Sequence, residues 1–384
     1  MRAPFEGRLM NTVCIDSRYI ADRPSGIGEV VQGLIDFVPA LAPDTHFVLL
    51  RNPRRRTPLC TADNVTEIIV PQAANGPSTM WWLPQAVDLS RIDLFHAPAN
   101  IMPARLAMPC VTTIHDVMWL TNPAWCRSGT RGLIDRAFYS HGIRRALKSA
   151  AAITTVSAAS AAEIARISPS AAARTFITPS GVSARFRPTP GSYERLASLG
   201  LPPSRRYVLT VGQYAPYKNH EGAIRAFALA CADMPDIDLI LVQRMGRRAQ
   251  ALLVLANELG LQGRVRLLQG VAMDDLIALY CNAQALLHPS FCEGFGNPLV
   301  EAMACGCPVV TSDVSAMPEV TGGAALTASP YDPSALGIQL RRTLTDARLA
   351  DTMRQRGFAR AARLNWQQFA AGHLEVYRRV LANA

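Results

Sequence analysis

A chain of 384 residues exceeds the usual size of one hydrophobic core, so two domains of ordinary size are expected, and 49 % hydrophobic content excludes a disordered protein. The formal charge of +10 favours a polyanionic partner: nucleic acid, an acidic membrane surface or a phosphorylated substrate. No apolar run approaches the roughly 20 residues that span a bilayer, and the N-terminal MRAPFEGRLMNTVCID lacks the apolar segment of a secretory signal, so the expected location is the cytoplasm.

In chain order, short β-branched runs alternate with amphipathic stretches. NTVCID is followed by GEVVQGLIDFV, and then by HFVLL, TEIIV, DLFHA, CVTTI and AITTV. That alternation predicts an open, largely parallel sheet with helical crossovers. A Pro/Gly-rich, motif-poor stretch, 185–206, reads as a linker. The alternation then restarts with YVLTVG, IDLILV, RVRLLQG and AQALLHP, after which helices are expected to the end. Two doubly wound α/β domains follow, with ligands expected at the carboxyl ends of their strands. The expected boundaries are 1–184, 207–362 and a closing helical segment, 363–384, that packs back on the first domain.

The nine cysteines form no C-x-x-C pair or Cys/His ladder, and Cys305 and Cys307 lie too close together to suggest a zinc site. Most are expected to be buried, reduced thiols. Among the 39 basic residues only Lys148 and Lys218 are lysines, which draws attention to each. The basic segment Arg127 to Lys148 sets Leu133, Ile134, Phe138 and Tyr139 among six cations. It fits either an anionic membrane surface or a solvated face over the core. The Arg51 to Arg56 run fits a basic face or an ordinary loop, and Trp81 and Trp82 fit core packing or an acceptor cleft. Asp236 and Asp238 spell D-x-D, yet they stand at the entry of a predicted strand, the wrong end for a ligand in a parallel sheet.

The most informative stretch is SFCEGFGNPLVEAMACGCPVVTS, Ser290 to Ser312, where Glu293 and Glu301 sit eight positions apart in an otherwise small and apolar segment. Ionised carboxylates are rarely buried without a partner, and here a ligand is the expected partner. Asn297 is predicted as the N-cap of a short helix, with Pro298 at its first position and Gly306 and Pro308 ending it. Gly294 and Gly296 before it would let backbone N–H groups meet an anion or sugar hydroxyls. Glu301, predicted in the first turn, can accept hydrogen bonds from two adjacent hydroxyls such as those of a ribose. Without a ligand, it would only complement the helix dipole, with Glu293 solvated.

EGFGNPLVEAMACGCPVV resembles the signature of the retaining GT-B glycosyltransferases of glycosyltransferase family four, the group 1 type. The resemblance extends to IDSRYIADRPSGIGEVVQGL, TIHDVMWLTNPAW, TVSAASAAEI, ITPSGVSARFRP, VGQYAPYKNHEGAIRAFA and the terminal NWQQFAAGHLEVYRRVL. It implies two Rossmann-like domains facing across a donor/acceptor cleft. It also implies a nucleotide-sugar donor, GDP- or UDP-linked, that is a substrate rather than a cofactor, and transfer of a hexose with retention and without metal. By the same resemblance Glu301 would hold the donor ribose, and Glu293 the transferred sugar together with backbone at Gly294, Phe295, Gly296, Asn297 and Leu299. His115 would reach that sugar from the first domain, Gly26 and Gly28 would line the diphosphate, and Lys218 would neutralise the leaving group. Many relatives carry an arginine before this lysine, but Tyr217 stands here and supplies no charge. Either Arg244 compensates, or donor affinity or activity is reduced.

IDSRYIADRPSGIG and TIHDVMWLTNPAW look most like the mannosyl- and rhamnosyltransferase-like branch. The expected reaction is therefore mannose transfer from GDP-mannose to a saccharide or polyprenyl-linked acceptor in bacterial surface polysaccharide synthesis, with the inner face of the plasma membrane as a candidate site of peripheral contact. A non-catalytic donor- or partner-binding subunit, suggested by Tyr217, and a nucleotide-sugar epimerase or hydrolase of the same fold are the alternatives. Nucleic-acid binding has charge alone in its favour and no recognisable module, so no nucleic-acid partner is expected.

Overall fold

A computed structural model describes residues 11–21, 26–126, 129–202, 204–242 and 249–384. The chain divides into two compact units. The first comprises Met1–Val117, Asp135–Gly181 and Trp366–Ala384; the second comprises Met118–Ile134 and Val182–Asn365.

The first unit is built on β1 (Asn11–Ile15), β2 (Thr45–Arg51), β3 (Val65–Ile69), β4 (Leu94–Ala97), β5 (Cys110–Thr113), β6 (Ala152–Thr155) and β7 (Thr175–Ile177). They lie in the order β3-β2-β1-β4-β5-β6-β7, and every neighbouring pair is parallel. The central strands β4, β5 and β6 are buried along their whole length because helices cover both faces of the sheet, leaving neither for water. Val13, Ile15, Phe47, Leu49, Leu94 and Val111 meet Val31 and Leu34 of the Gly26–Ile35 helix in one core. Phe369, Leu374 and Tyr377 of the Trp366–Ala382 helix complete it. The two helices approach so closely that a Cβ on Gly33 would fall 2.3 Å from the Trp366 ring.

The second unit carries β8 (Arg206–Val211), β9 (Ile237–Val242), β10 (Val265–Leu268), β11 (Ala285–His288), β12 (Val309–Ser312) and β13 (Leu326–Ala328). Their order is β10-β9-β8-β11-β12-β13, again parallel throughout. Val208, Leu239, Leu241, Leu287 and Val310 form its core with Ile224 and Phe227 of the His220–Ala230 helix and Leu336 and Leu340 of the Pro333–Thr345 helix. β12 and β13 correct the expectation that only helices follow AQALLHP. VVTS is β-branched but only four residues long, and LTA is shorter still, so neither gives a periodic signal of its own.

In each sheet the strand order reverses once, between β1 and β4 and between β8 and β11. The loops leaving the carboxyl ends of such a pair diverge to opposite faces, and that divergence opens a crevice for a ligand. In the second unit the loop after β8 carries Lys218 and the loop after β11 carries Glu293 to this point.

The stretch 185–206 contains a short helix, Glu194–Ser198, and is fastened within the second unit. Arg185 pairs with Asp274 at 2.8 Å, and Phe186 packs edge-on against Tyr280. Asp238 is buried and paired with Arg205 and Arg266, while Asp236 pairs with Arg206 at 2.7 Å. The D-x-D spelling is thus a set of strand-entry ion pairs. All nine cysteines are free and five are buried. Among the described residues no helix is long and apolar enough to cross a membrane.

Candidate active site

Lys218 and Glu293 come together from separate loops of the second unit. Lys218 ends a short 3-10 turn, Pro216–Lys218, after β8. The next residue, Asn219, holds left-handed backbone (φ 52°) and caps the His220–Ala230 helix by accepting from Gly222 N–H at 3.1 Å. Its amide group also donates to the carbonyls of Pro289 (3.0 Å) and Pro330 (2.9 Å). One buried side chain therefore fixes the lysine's turn to two neighbouring loops. Phe291 N–H donates to Tyr217 O at 2.8 Å and adds a third tie.

Glu293 is buried, and three donors converge on its Oε1: Lys218 Nζ at 2.7 Å, Ser290 Oγ at 2.7 Å and His288 Nε2 at 3.0 Å. Burial alone would push the carboxyl up, but the Lys218 ammonium and the His288 contact outweigh it and hold Glu293 down at about 2. Burial keeps His288 below its ordinary range, so the ring is neutral, and Nε2 carries the proton it donates to the ionised carboxylate. For Lys218, burial opposes the charge, but Glu293 and then Tyr217 restore it, with a net rise. A pre-formed, buried ion pair with three donors on one carboxylate oxygen is thus held between the loops that follow β8 and β11. The Tyr217 ring supplies no cation of its own, but Lys218 Nζ lies 5.2 Å from its centroid, within cation–π reach.

The Glu293 backbone is clamped as well. Its N–H donates to Ser315 Oγ at 3.2 Å, and that hydroxyl donates to Glu293 O at 2.9 Å. Ser315 holds left-handed backbone (φ 57°) to do so, a conformation L-residues seldom adopt unless local contacts reward it.

Beyond Glu293 the helix runs Asn297–Ala304, capped by Gly296, with Pro298 at its second position. This corrects the predicted Asn297 cap by one residue. The chain enters through left-handed backbone at Gly296 (φ 93°, ψ 58°), which glycine adopts at no steric cost. Glu301 consequently stands in the second turn, not the first, and a dipole role there is weak because the effect fades within the first turn. It is buried, and Tyr280 of the Met273–Asn282 helix donates to its Oε2 at 2.8 Å. Phe295 and Leu299 are buried, Gly294 and Asn297 half-buried, and the Leu299 N–H already donates to Gly296 O at 2.9 Å.

The remaining expected residues lie elsewhere. His115 follows β5 in the first unit, half-buried, with Nε2 at 2.9 Å from Pro98 O and its backbone N–H on Asn100 Oδ1 at 2.8 Å. Burial lowers its pKa, so it is a neutral ring oriented by a carbonyl. Gly26 and Gly28 open the first helix of that unit, the former exposed and the latter buried. Arg244 lies outside the described residues. Among those described, no group of three or more His, Cys, Asp or Glu is arranged to hold a metal.

His288, Ser290, Asn219, Tyr280 and Ser315 were not singled out from the sequence. A histidine closing a predicted strand immediately before the motif was a usable signal for His288. Tyr280 and Ser315 are distant in sequence and meet the motif only through the sheet's crossovers.

The chain matches two family models: glycosyl transferase 4-like domain over residues 25–181, and glycosyl transferases group 1 over residues 194–360. It is 32 % identical over 288 residues to the O-antigen chain mannosyltransferase B of Escherichia coli, covering 74 % of each chain. It is 28 % identical over 297 residues to the serotype-specific mannosyltransferase WbdA of Escherichia coli, covering 75 % of this chain and 35 % of that protein. Among solved structures it resembles sucrose-phosphate synthase from Thermosynechococcus elongatus, with a TM-score of 0.73 at 21 % identity, covering 97 % of this chain and 100 % of that one. It also resembles Anabaena HepE in complex with UDP and glucose, with a TM-score of 0.68 at 18 % identity, covering 96 % and 100 %.

Proposed function

The chain belongs to the group 1 glycosyl transferases and has the GT-B fold, and on that premise we propose that it transfers mannose from GDP-mannose, with retention and without metal, to a saccharide or polyprenyl-linked acceptor of a bacterial surface polysaccharide. Membership of the family implies a nucleotide-sugar donor and a saccharide acceptor. The choice of mannose rests on the names of the two Escherichia coli relatives, and the setting on the O-antigen named in the first.

The observation that carries the reading is the Lys218–Glu293 pair at 2.7 Å, fixed by His288, Ser290 and Asn219 at the point where the strand order reverses. In the transfer, the bond from the sugar's anomeric carbon to the diphosphate breaks, and its electron pair goes to the phosphate oxygen. An acceptor hydroxyl oxygen forms the new bond to that carbon and passes its proton to the departing phosphate oxygen. Charge therefore grows on the diphosphate as the transition state is approached, and a cation already in place lowers that barrier without reorganising. Lys218 is that cation, kept protonated by Glu293 and set at the entry to the His220–Ala230 helix. In this reading Glu293, kept ionised, accepts from hydroxyls of the transferred sugar, and Glu301, oriented by Tyr280, accepts from the donor ribose. Arg244 adds charge where Tyr217 cannot.

Donor hydrolysis and transfer measured over GDP-mannose, GDP-fucose, UDP-glucose, UDP-galactose and dTDP-rhamnose test the reading. Turnover confined to GDP-mannose supports it, and turnover of another donor with GDP-mannose inert overturns it.

A further inference from the structure

We propose that Trp125, Phe291 and Tyr331 form a saccharide platform on the second unit, and that the exposed Tyr331 ring seats the acceptor chain next to the sugar being transferred. The proposal rests on the transferase reading above.

Three rings from three separate segments stack face to face. Trp125 and Phe291 have centroids 5.6 Å apart and planes 26° apart, and Phe291 and Tyr331 have centroids 4.9 Å apart and planes 26° apart. Core aromatic pairs are usually sealed from water, but this stack ends at the surface: Tyr331 is 67 % exposed, and the other two rings are half-buried. Such a rigid flat face costs little conformational entropy when it binds and suits the C–H face of a pyranose, with the tyrosine hydroxyl left for a polar contact.

Two ties hold the stack to the catalytic turn. Phe291 N–H donates to Tyr217 O at 2.8 Å, and Pro330 O, next to Tyr331, accepts from Asn219 Nδ2 at 2.9 Å. Tyr217 and Asn219 flank Lys218 on either side. The occupant follows from those ties and from the chemistry. Phe291 stands two residues before Glu293, and the stack is fastened to both neighbours of Lys218. With the transferred sugar at Glu293 and its leaving diphosphate at Lys218, transfer with retention brings the acceptor to the side the diphosphate leaves, so the group seated on a face tied to that turn is the acceptor.

The test is the dissociation constant of a mannose-terminated oligosaccharide, titrated calorimetrically with GDP present, alongside the dissociation constant of GDP-mannose. Tyr331→Ala should weaken the oligosaccharide by about fivefold to tenfold, the scale of one lost aromatic contact, and leave the GDP-mannose constant within about twofold. Tyr331→Phe should restore most of the loss, and Trp125→Ala should weaken the oligosaccharide in the same direction. An oligosaccharide constant that Tyr331→Ala leaves unchanged overturns the platform, as does a wild-type protein that binds no oligosaccharide. A Tyr331→Ala protein that loses GDP-mannose instead assigns the ring to the nucleobase and also overturns it. Hydrolysis of GDP-mannose by the wild type reads the transferase proposal separately, so failure of one is not mistaken for failure of the other.

Discussion

Glu301 and Glu293 divide the work of the motif, and each predicts a different measurement. Glu301 stands in the second helical turn with Tyr280 on one oxygen, an arrangement that orients a carboxylate rather than neutralises it. Glu301→Ala should raise the GDP-mannose dissociation constant tenfold to a hundredfold, from about 1.5–3 kcal/mol of lost charge-assisted hydrogen bonds. Unchanged affinity in a folded variant would leave Glu301 a structural partner of Tyr280. Glu293 is ion-paired with Lys218, and that pairing makes stability depend on pH. Its carboxyl is held at about 2 against an ordinary 4.5, so its contribution is fully present above 4.5 and is lost as pH falls through about 2. Glu293→Gln should therefore flatten the acid limb of the urea-midpoint profile between those values. An acid limb as steep as the wild type's would mean that the pair contributes nothing to folding.

The elements matter because they bring those residues to one point. The turn after β8 is held by Asn219, which caps one helix and reaches two loops. Asn219→Ala should cost about 2–3 kcal/mol by chemical denaturation, the sum of a lost cap and two buried hydrogen bonds, and should lower turnover as Lys218 loosens. A loss within about 0.5 kcal/mol, the scale of an ordinary surface substitution, would contradict that role. The parallel sheets, the motif helix and the Glu293–Glu301 spacing were legible because each is local: apolar runs of strand length, a Gly-Asn-Pro helix start, carboxylates in an apolar frame. The start of that helix was misplaced by one residue because the cap depends on the left-handed backbone of Gly296, which composition does not reveal. β12 and β13 were missed because three or four residues set no period. Tyr280 and Ser315 are not legible because crossovers bring together residues that only the fold makes neighbours, whereas His288 and Ser290 stand five and three residues before Glu293 and were within reach of the sequence. Tyr217 was read as a missing charge; its ring proves to lie within cation–π reach of the lysine it precedes.

For the molecule as a whole, the formal charge of +10 favours polyanionic partners, of which a nucleotide-sugar donor is one. The helix Gly129–Ser149 offers another outlet. Leu133 (67 %) and Ile134 (70 %) are exposed side by side near Arg131 and Arg136, while Phe138 turns inward against Trp81, with ring centroids 6.1 Å apart. Two exposed aliphatic side chains among cations suit an anionic lipid surface, so the protein should co-sediment with phosphatidylglycerol-containing liposomes. Salt and Leu133→Asp should each weaken that association. Sedimentation indifferent to anionic lipid, salt and the substitution would return the helix to a solvated role. In the proposed reaction the pre-formed Lys218–Glu293 pair does the work of a metal in transferring mannose. The most direct test is NMR of the product formed from GDP-mannose and a mannose-terminated acceptor in EDTA, for the wild type and Lys218→Ala. Transfer in EDTA with the donor's anomeric configuration kept is expected, with a loss of about 10²-fold in the variant. Complete loss in EDTA that Mn²⁺ restores, or a Lys218→Ala enzyme as fast as the wild type, would contradict it.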